Sequence, residues 1–133
     1  MKNIVPFLRK YGLSIVISLF LYSCNPLPSE LNGIDLNKWK EDKYACENYR
    51  KEKINDLHSS KETLLRFSEA DIMSILGRPE STELIEKSQK IYTYYLEPNK
   101  NCGVSNIGTI KILQVRFNST GYCNSLIIMD KAN

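Results

Sequence analysis

Apolar residues recur along this chain with two different periods. Trp39, Cys46, Tyr49, Ile54, Leu57 and Leu64 fall on one half of a 3.6-residue wheel, with Glu41, Lys51, Glu52 and Asn55 largely opposite. This predicts an amphipathic helix starting near Leu36, diluted on its apolar side by Arg50, Lys53 and Lys61. The helix should break or bend near His58-Ser59-Ser60, because serine hydroxyls compete for helical backbone hydrogen bonds. A second, shorter helix is punctuated at both ends. Ser68 precedes Asp71 by three residues, as in a capping box, and Ile72, Ile75 and Leu76 share one face. Gly77 suits the left-handed position past a helix end, and Pro79 forbids continuation.

After Pro79 the helical period is lost. Ile91-Tyr92-Thr93-Tyr94-Tyr95-Leu96 is aromatic and β-branched, and Pro98 to Gly103 has loop composition. From Thr109 to Phe117 the alternation is clear, with Leu113, Val115 and Phe117 on one face and Gln114 and Arg116 on the other. Asn118-Ser119-Thr120-Gly121 should turn the chain into a last strand from Tyr122 to Met129. Helices followed by strands predict an α+β sandwich, with two helices packed on one face of a three-stranded antiparallel sheet.

The first segment has another grammar. Met1 to Lys10 carries Lys2, Arg9 and Lys10 without an acid, and the run from Tyr11 to Tyr22 is apolar, the order of a secretory signal. That run falls short of the roughly 20 apolar residues a membrane-crossing helix needs. It ends in Leu21-Tyr22-Ser23-Cys24, which resembles the lipobox of bacterial lipoproteins. The resemblance implies cleavage before Cys24 and lipidation of its thiol and amine, and two or more acyl chains hold a protein firmly on a membrane. The expected organisation is a signal peptide at 1–23, a lipidated N-terminus and linker at 24–34 rich in Pro, Ser, Asn and Gly, and one domain at 35–133.

Cleavage changes the charge balance. Of the 18 basic residues three precede Cys24, and none of the 15 acids do, so the remainder is near neutral. Neutrality and export both argue against a nucleic-acid partner.

The lipobox, the amphipathic helix, Ser68-Glu69-Ala70-Asp71-Ile72 leading into Leu76-Gly77-Arg78-Pro79, the strand Tyr92-Thr93-Tyr94-Tyr95, and Leu113 to Phe117 before a turn ending in Gly121 together resemble the SmpA/OmlA (BamE-like) lipoproteins. The resemblance covers roughly residues 60 to 129. It implies two helices on a three-stranded antiparallel sheet, a fold shared with β-lactamase inhibitor proteins, and a place on the outer membrane facing the periplasm. Family members of the BamE type are accessory subunits of the machine that inserts β-barrels, so such assembly components are the partners it implies. Asn25, rather than aspartate, follows Cys24, which agrees with the outer membrane.

Three cysteines remain besides Cys24. Cys123 falls on the apolar side of the last strand with Ile127 and suits a buried thiol, which favours a disulfide between Cys46 and Cys102, although spacing alone leaves all pairings open. A metal site from these cysteines and His58 would have spacings unlike any zinc module, so no metal or cofactor is expected. The sequence contains no Gly-x-Ser-x-Gly, His-Glu-x-x-His, phosphate loop or Cys-x-x-Cys, and its sole histidine, His58, sits at the predicted helix break. The expectation is a non-catalytic, lipid-anchored scaffold or assembly accessory. Its alternative is an inhibitor or ligand-binding lipoprotein of the periplasm. Tyr92, Tyr94, Tyr95 and Trp39 are the candidate partner-binding residues, since these side chains join large contact area to a polar tip; the competing reading is that one side of the tyrosine strand packs under the helices and the other is ordinary sheet surface.

Overall fold

The structure is a computed structural model that describes residues 30–31, 33–105 and 108–133; Cys24 and the predicted signal lie outside them. The class is α+β, as the order of periods predicts. In chain order come β1 (Glu30–Leu31), β2 (Ile34–Asp35), α1 (Leu36–Glu41), α2 (Tyr49–Glu52), α3 (Ile54–Leu64), α4 (Glu69–Leu76), β3 (Ser81–Ile85), β4 (Gln89–Tyr95), β5 (Thr109–Phe117) and β6 (Cys123–Ala132). The sheet has four strands rather than three, a wholly antiparallel meander in the order β3-β4-β5-β6. The added strand, β3, is an edge strand with an exposed middle, so its sequence carries no alternation to detect.

The helical half departs more from expectation. A continuous helix from Leu36 is interrupted between Asp42 and Asn48, where Tyr44, Ala45 and Asn48 all have positive φ. Asp42 accounts for the break locally, because its carboxylate accepts the backbone N–H groups of Glu47 at 2.7 Å and Arg50 at 2.8 Å and so starts a new turn. The predicted break at His58-Ser59-Ser60 does not occur, and α3 runs through to Leu64. Ser59 and Ser60 donate to the carbonyls of Asn55 and Asp56, four residues back, which leaves the helix intact. The capping box of α4 is formed as expected: Ser68 Oγ accepts from Asp71 N, and the Asp71 carboxylate accepts from Ser68 N. Gly77 ends that helix at φ 80°, with a Cβ at this position meeting Lys40 Cγ at 3.1 Å.

The core lies between the helices and one face of the sheet. Trp39, Leu57, Leu64, Ile72, Ile75 and Leu76 meet Tyr92, Tyr94, Leu113, Val115, Phe117 and Leu126. Leu31 and Ile34, from the stretch expected to be linker, also belong to this core, so the packed body includes part of that stretch. On the opposite face Ile91, Thr93, Ile110 and Ile112 are buried, and Ile127 and Met129 are half exposed. A bulge between Arg116 and Phe117 shifts the register, pairing Phe117 with Cys123 and Arg116 with Ser125. Cys123 therefore shares the core side with Leu126, not with Ile127 as unbroken alternation predicts.

The Asp42–Asn48 loop is fixed at one end of the sheet. The Cys46–Cys102 disulfide ties it to the loop after β4, across 56 residues of sequence. Beside it Arg50 is buried and donates to Glu80 Oε1 at 2.8 Å, to the Trp39 carbonyl at 3.0 Å and to the Tyr95 carbonyl at 3.3 Å. Glu80 in turn accepts from the backbone N–H of Tyr44 and of Tyr95, each at 3.2 Å. The guanidinium carbon lies 5.1 Å from the Trp39 ring centroid and 6.0 Å from that of Tyr94. Asn99 completes the anchor by donating to the Tyr44 carbonyl at 3.0 Å.

Candidate functional site: the groove between helix α3 and strand β6

The four residues proposed from sequence as a docking face do not form one. Trp39, Tyr92 and Tyr94 are buried in the core, and Tyr95, half buried, points to the other side of the sheet. Alternation explains this: β4 is central, so its two faces both lie under other groups, and aromatic residues on the helix side become core. Their polar tips have internal partners. Tyr94 donates to the Gly77 carbonyl at 2.9 Å, and Tyr92 donates to Glu69 Oε2 at 3.0 Å, which Lys90 also contacts at 2.8 Å. Burial, aided by the hydrogen bond to Glu69, pushes the Tyr92 phenol up to about 12, and burial pushes Tyr94 up as well. Among the described side chains, the Trp39 indole N–H is the one buried polar group without a hydrogen-bond partner.

A different surface has the features of a binding site. Two adjoining clefts of about 200 Å³ each run between α3 and β6. One is lined by Lys61, Glu62, Leu65, Asn124, Ser125 and Leu126, the other by Leu57, His58, Lys61, Leu113, Leu126, Ile127 and Ile128. Helical spacing builds the wall. Leu57, Ser60 and Leu64 face the core, so His58, Lys61 and Leu65 occupy the next row and overlook the strand.

The floor is the outer edge of the sheet. The Leu96 N–H donates to the Lys111 carbonyl, and the Asn133 N–H donates to the Gly108 carbonyl. Hydrogen-bonded positions alternate along an antiparallel strand, so Ile112, Gln114 and Arg116 turn their backbone groups toward β6, where Met129, Ile127 and Ser125 receive them. Leu126, Ile128 and Asp130 consequently turn theirs outward. At the start of β6 the edge is closed, because Cys123 exchanges two 2.8 Å hydrogen bonds with Arg66 and Phe67. Beyond that point no described residue pairs with the outward groups.

In one cleft His58 and Lys61 stand among aliphatic side chains, and in the other Lys61 stands with Glu62, Asn124 and Ser125. Cys123 is buried, and burial pushes its thiol up to about 11, which suppresses the reactive thiolate. Among the described residues no group of three or more His, Cys, Asp or Glu is placed to hold a metal ion, and no helix is long and apolar enough to cross a membrane. Sequence reasoning passed over this groove, since only the pairing pattern reveals which strand edge is open and which helix row stands over it.

No protein-family model, no curated protein and no solved structure matches the chain.

Proposed function

We propose that this chain is a lipid-anchored envelope protein that acts as a non-catalytic scaffold or assembly accessory through protein contacts. In this reading Cys24 carries the lipid, the domain faces the periplasm from the outer membrane, and the chain is a relative of the SmpA/OmlA (BamE-like) lipoproteins. The observation that carries it is the open edge of β6 beside α3, with Ile127 and Met129 left 50% and 42% exposed next to it. Exposed aliphatic side chains along an unpaired strand are a liability unless they serve a contact. The Cys46–Cys102 disulfide supports an oxidising compartment, where such bridges persist. The stacking of helices on one face of an antiparallel meander is of the kind expected for that family, with a fourth strand at the edge.

The experiment is photocrosslinking in intact cells from a residue introduced at Lys61, with the position of Glu83 on the opposite edge as control, followed by purification and identification. Outer-membrane assembly components recovered from position 61, and lost on Cys24→Ala, are the expected outcome. Recovery of one soluble hydrolase, unchanged by Cys24→Ala, would overturn the accessory reading in favour of an inhibitor.

A further inference from the structure

We infer that the groove accepts an extended, aliphatic segment of a partner polypeptide as a fifth strand on β6. This deepens the reading above and rests on it. The edge supplies the backbone chemistry: Leu126, Ile128 and Asp130 each turn one N–H and one carbonyl outward, and no described residue meets them. A strand added there would continue the meander and satisfy these groups in register.

The side chains beside the edge define what the segment must carry. On the helix side the added strand would face Leu57 and Leu126; on the other it would face Ile127 and Met129. The sheet residues facing it at the cleft are apolar, with Asp130 beyond them on the helix side and Ser125 on the other. Successive side chains of a strand point to opposite faces, so the fitting segment is aliphatic at consecutive positions rather than alternating with polar ones. Lys61 lines both clefts and has no ion-pair partner among the described residues, which matches one carboxylate on the helix-facing row; Glu62 lines only the cleft next to Asn124. The opposite edge is the poorer acceptor. β3 has five residues against ten in β6 and carries Glu83 at its centre.

The test uses the whole chain, isotope-labelled and isolated in detergent. The probe is a short blocked peptide of valines and isoleucines with one glutamate, kept soluble by terminal lysines, beside a copy N-methylated at every second residue. Amide hydrogen exchange is read residue by residue. The amides of Leu126, Ile128 and Asp130 should exchange fast in the free chain and become protected with the plain peptide, but not with the N-methylated copy. Asp130→Pro removes one outward donor at an exposed position and leaves the β5–β6 hydrogen bonds in place. It should weaken binding roughly tenfold while the exchange pattern of β4 and β5 stays native. Lys61→Glu should weaken the glutamate peptide more than its glutamine version. Equal binding of both peptides, protection appearing at Ser81 to Ile85 instead, or no protection with any peptide would overturn the proposal. The accessory function has its own readout, the crosslinks in cells, so failure of the strand-binding proposal is told apart from failure of that reading.

Discussion

Replacing Glu80 with alanine tests whether the buried polar anchor is an ion pair or a backbone clamp. The side chains of Arg50 and Glu80 are 1% and 4% exposed, so solvent screening does not reduce their interaction. Removing one member of such a pair strands the other charge and typically costs about 3–5 kcal/mol, a large share of the roughly 5–15 kcal/mol that holds a small domain together. Glu80→Ala should therefore lower the stability by about 4 kcal/mol or more. For a bare ion pair, replacing both members with aliphatic residues recovers most of that loss. Here it should not. Glu80 receives the N–H groups of Tyr44 and Tyr95, and Arg50 serves the carbonyls of Trp39 and Tyr95. Each such backbone group left without a partner costs on the order of 1 kcal/mol, so with four of them Arg50→Met with Glu80→Leu should remain about 4 kcal/mol below the parent. Equilibrium urea unfolding with the disulfide intact, comparing midpoints at constant slope, measures both variants. A double variant within about 1 kcal/mol of the parent would refute the clamp and leave only charge pairing.

Two further outcomes follow from the same geometry. Replacing both Cys46 and Cys102 with serine frees a 56-residue separation, and the chain-entropy model gives a loss of about 4 kcal/mol, which the same unfolding assay reads; a loss under about 1 kcal/mol would show that the Asp42–Asn48 loop is held by Glu80 and Asn99 alone. Tyr92 and Tyr94, two of the eight tyrosines, have their ionisation raised by burial, Tyr92 from about 10 to about 12. Folding thus favours the protonated phenols, a contribution complete below about pH 10 and lost as pH rises through about 12. Ultraviolet titration should show both ionising after the exposed tyrosines, and a transition in which all tyrosines ionise together near 10 while the fold persists would contradict their placement.

What the sequence made legible was whatever local chemistry decides. The α4 helix carries its own start and stop in Ser68, Asp71, Gly77 and Pro79, and β5 carries its alternation from Leu113 to Phe117, because there one face is buried and the other is not. The Asn118 turn is equally local: one side-chain oxygen accepts from Thr120 and Tyr122. What escaped was whatever distant partners decide. Arg50 reads as a dilution of an apolar helix face, yet it is buried because Glu80, thirty residues on, and the Tyr95 carbonyl receive it. The interruption at Asp42–Asn48 is stabilised from Glu80, Asn99 and Cys102, none of them neighbours in sequence. Trp39 and the tyrosines of β4 have the composition of a docking face, and only the layer order turns them inward.

The meander has a consequence for how the three cysteines of the described residues yield one bridge. Each strand of the sheet pairs with the next in sequence, so the sheet can close from contacts of short range, whereas Cys46 must reach Cys102 over most of the domain. If closure comes first, Cys123 is withdrawn beneath Phe117 and Leu126 while the other two sulfurs remain accessible to an oxidant. The architecture would then proofread its own cross-link, and in a refolding time course Cys123 would be the first thiol to escape alkylation.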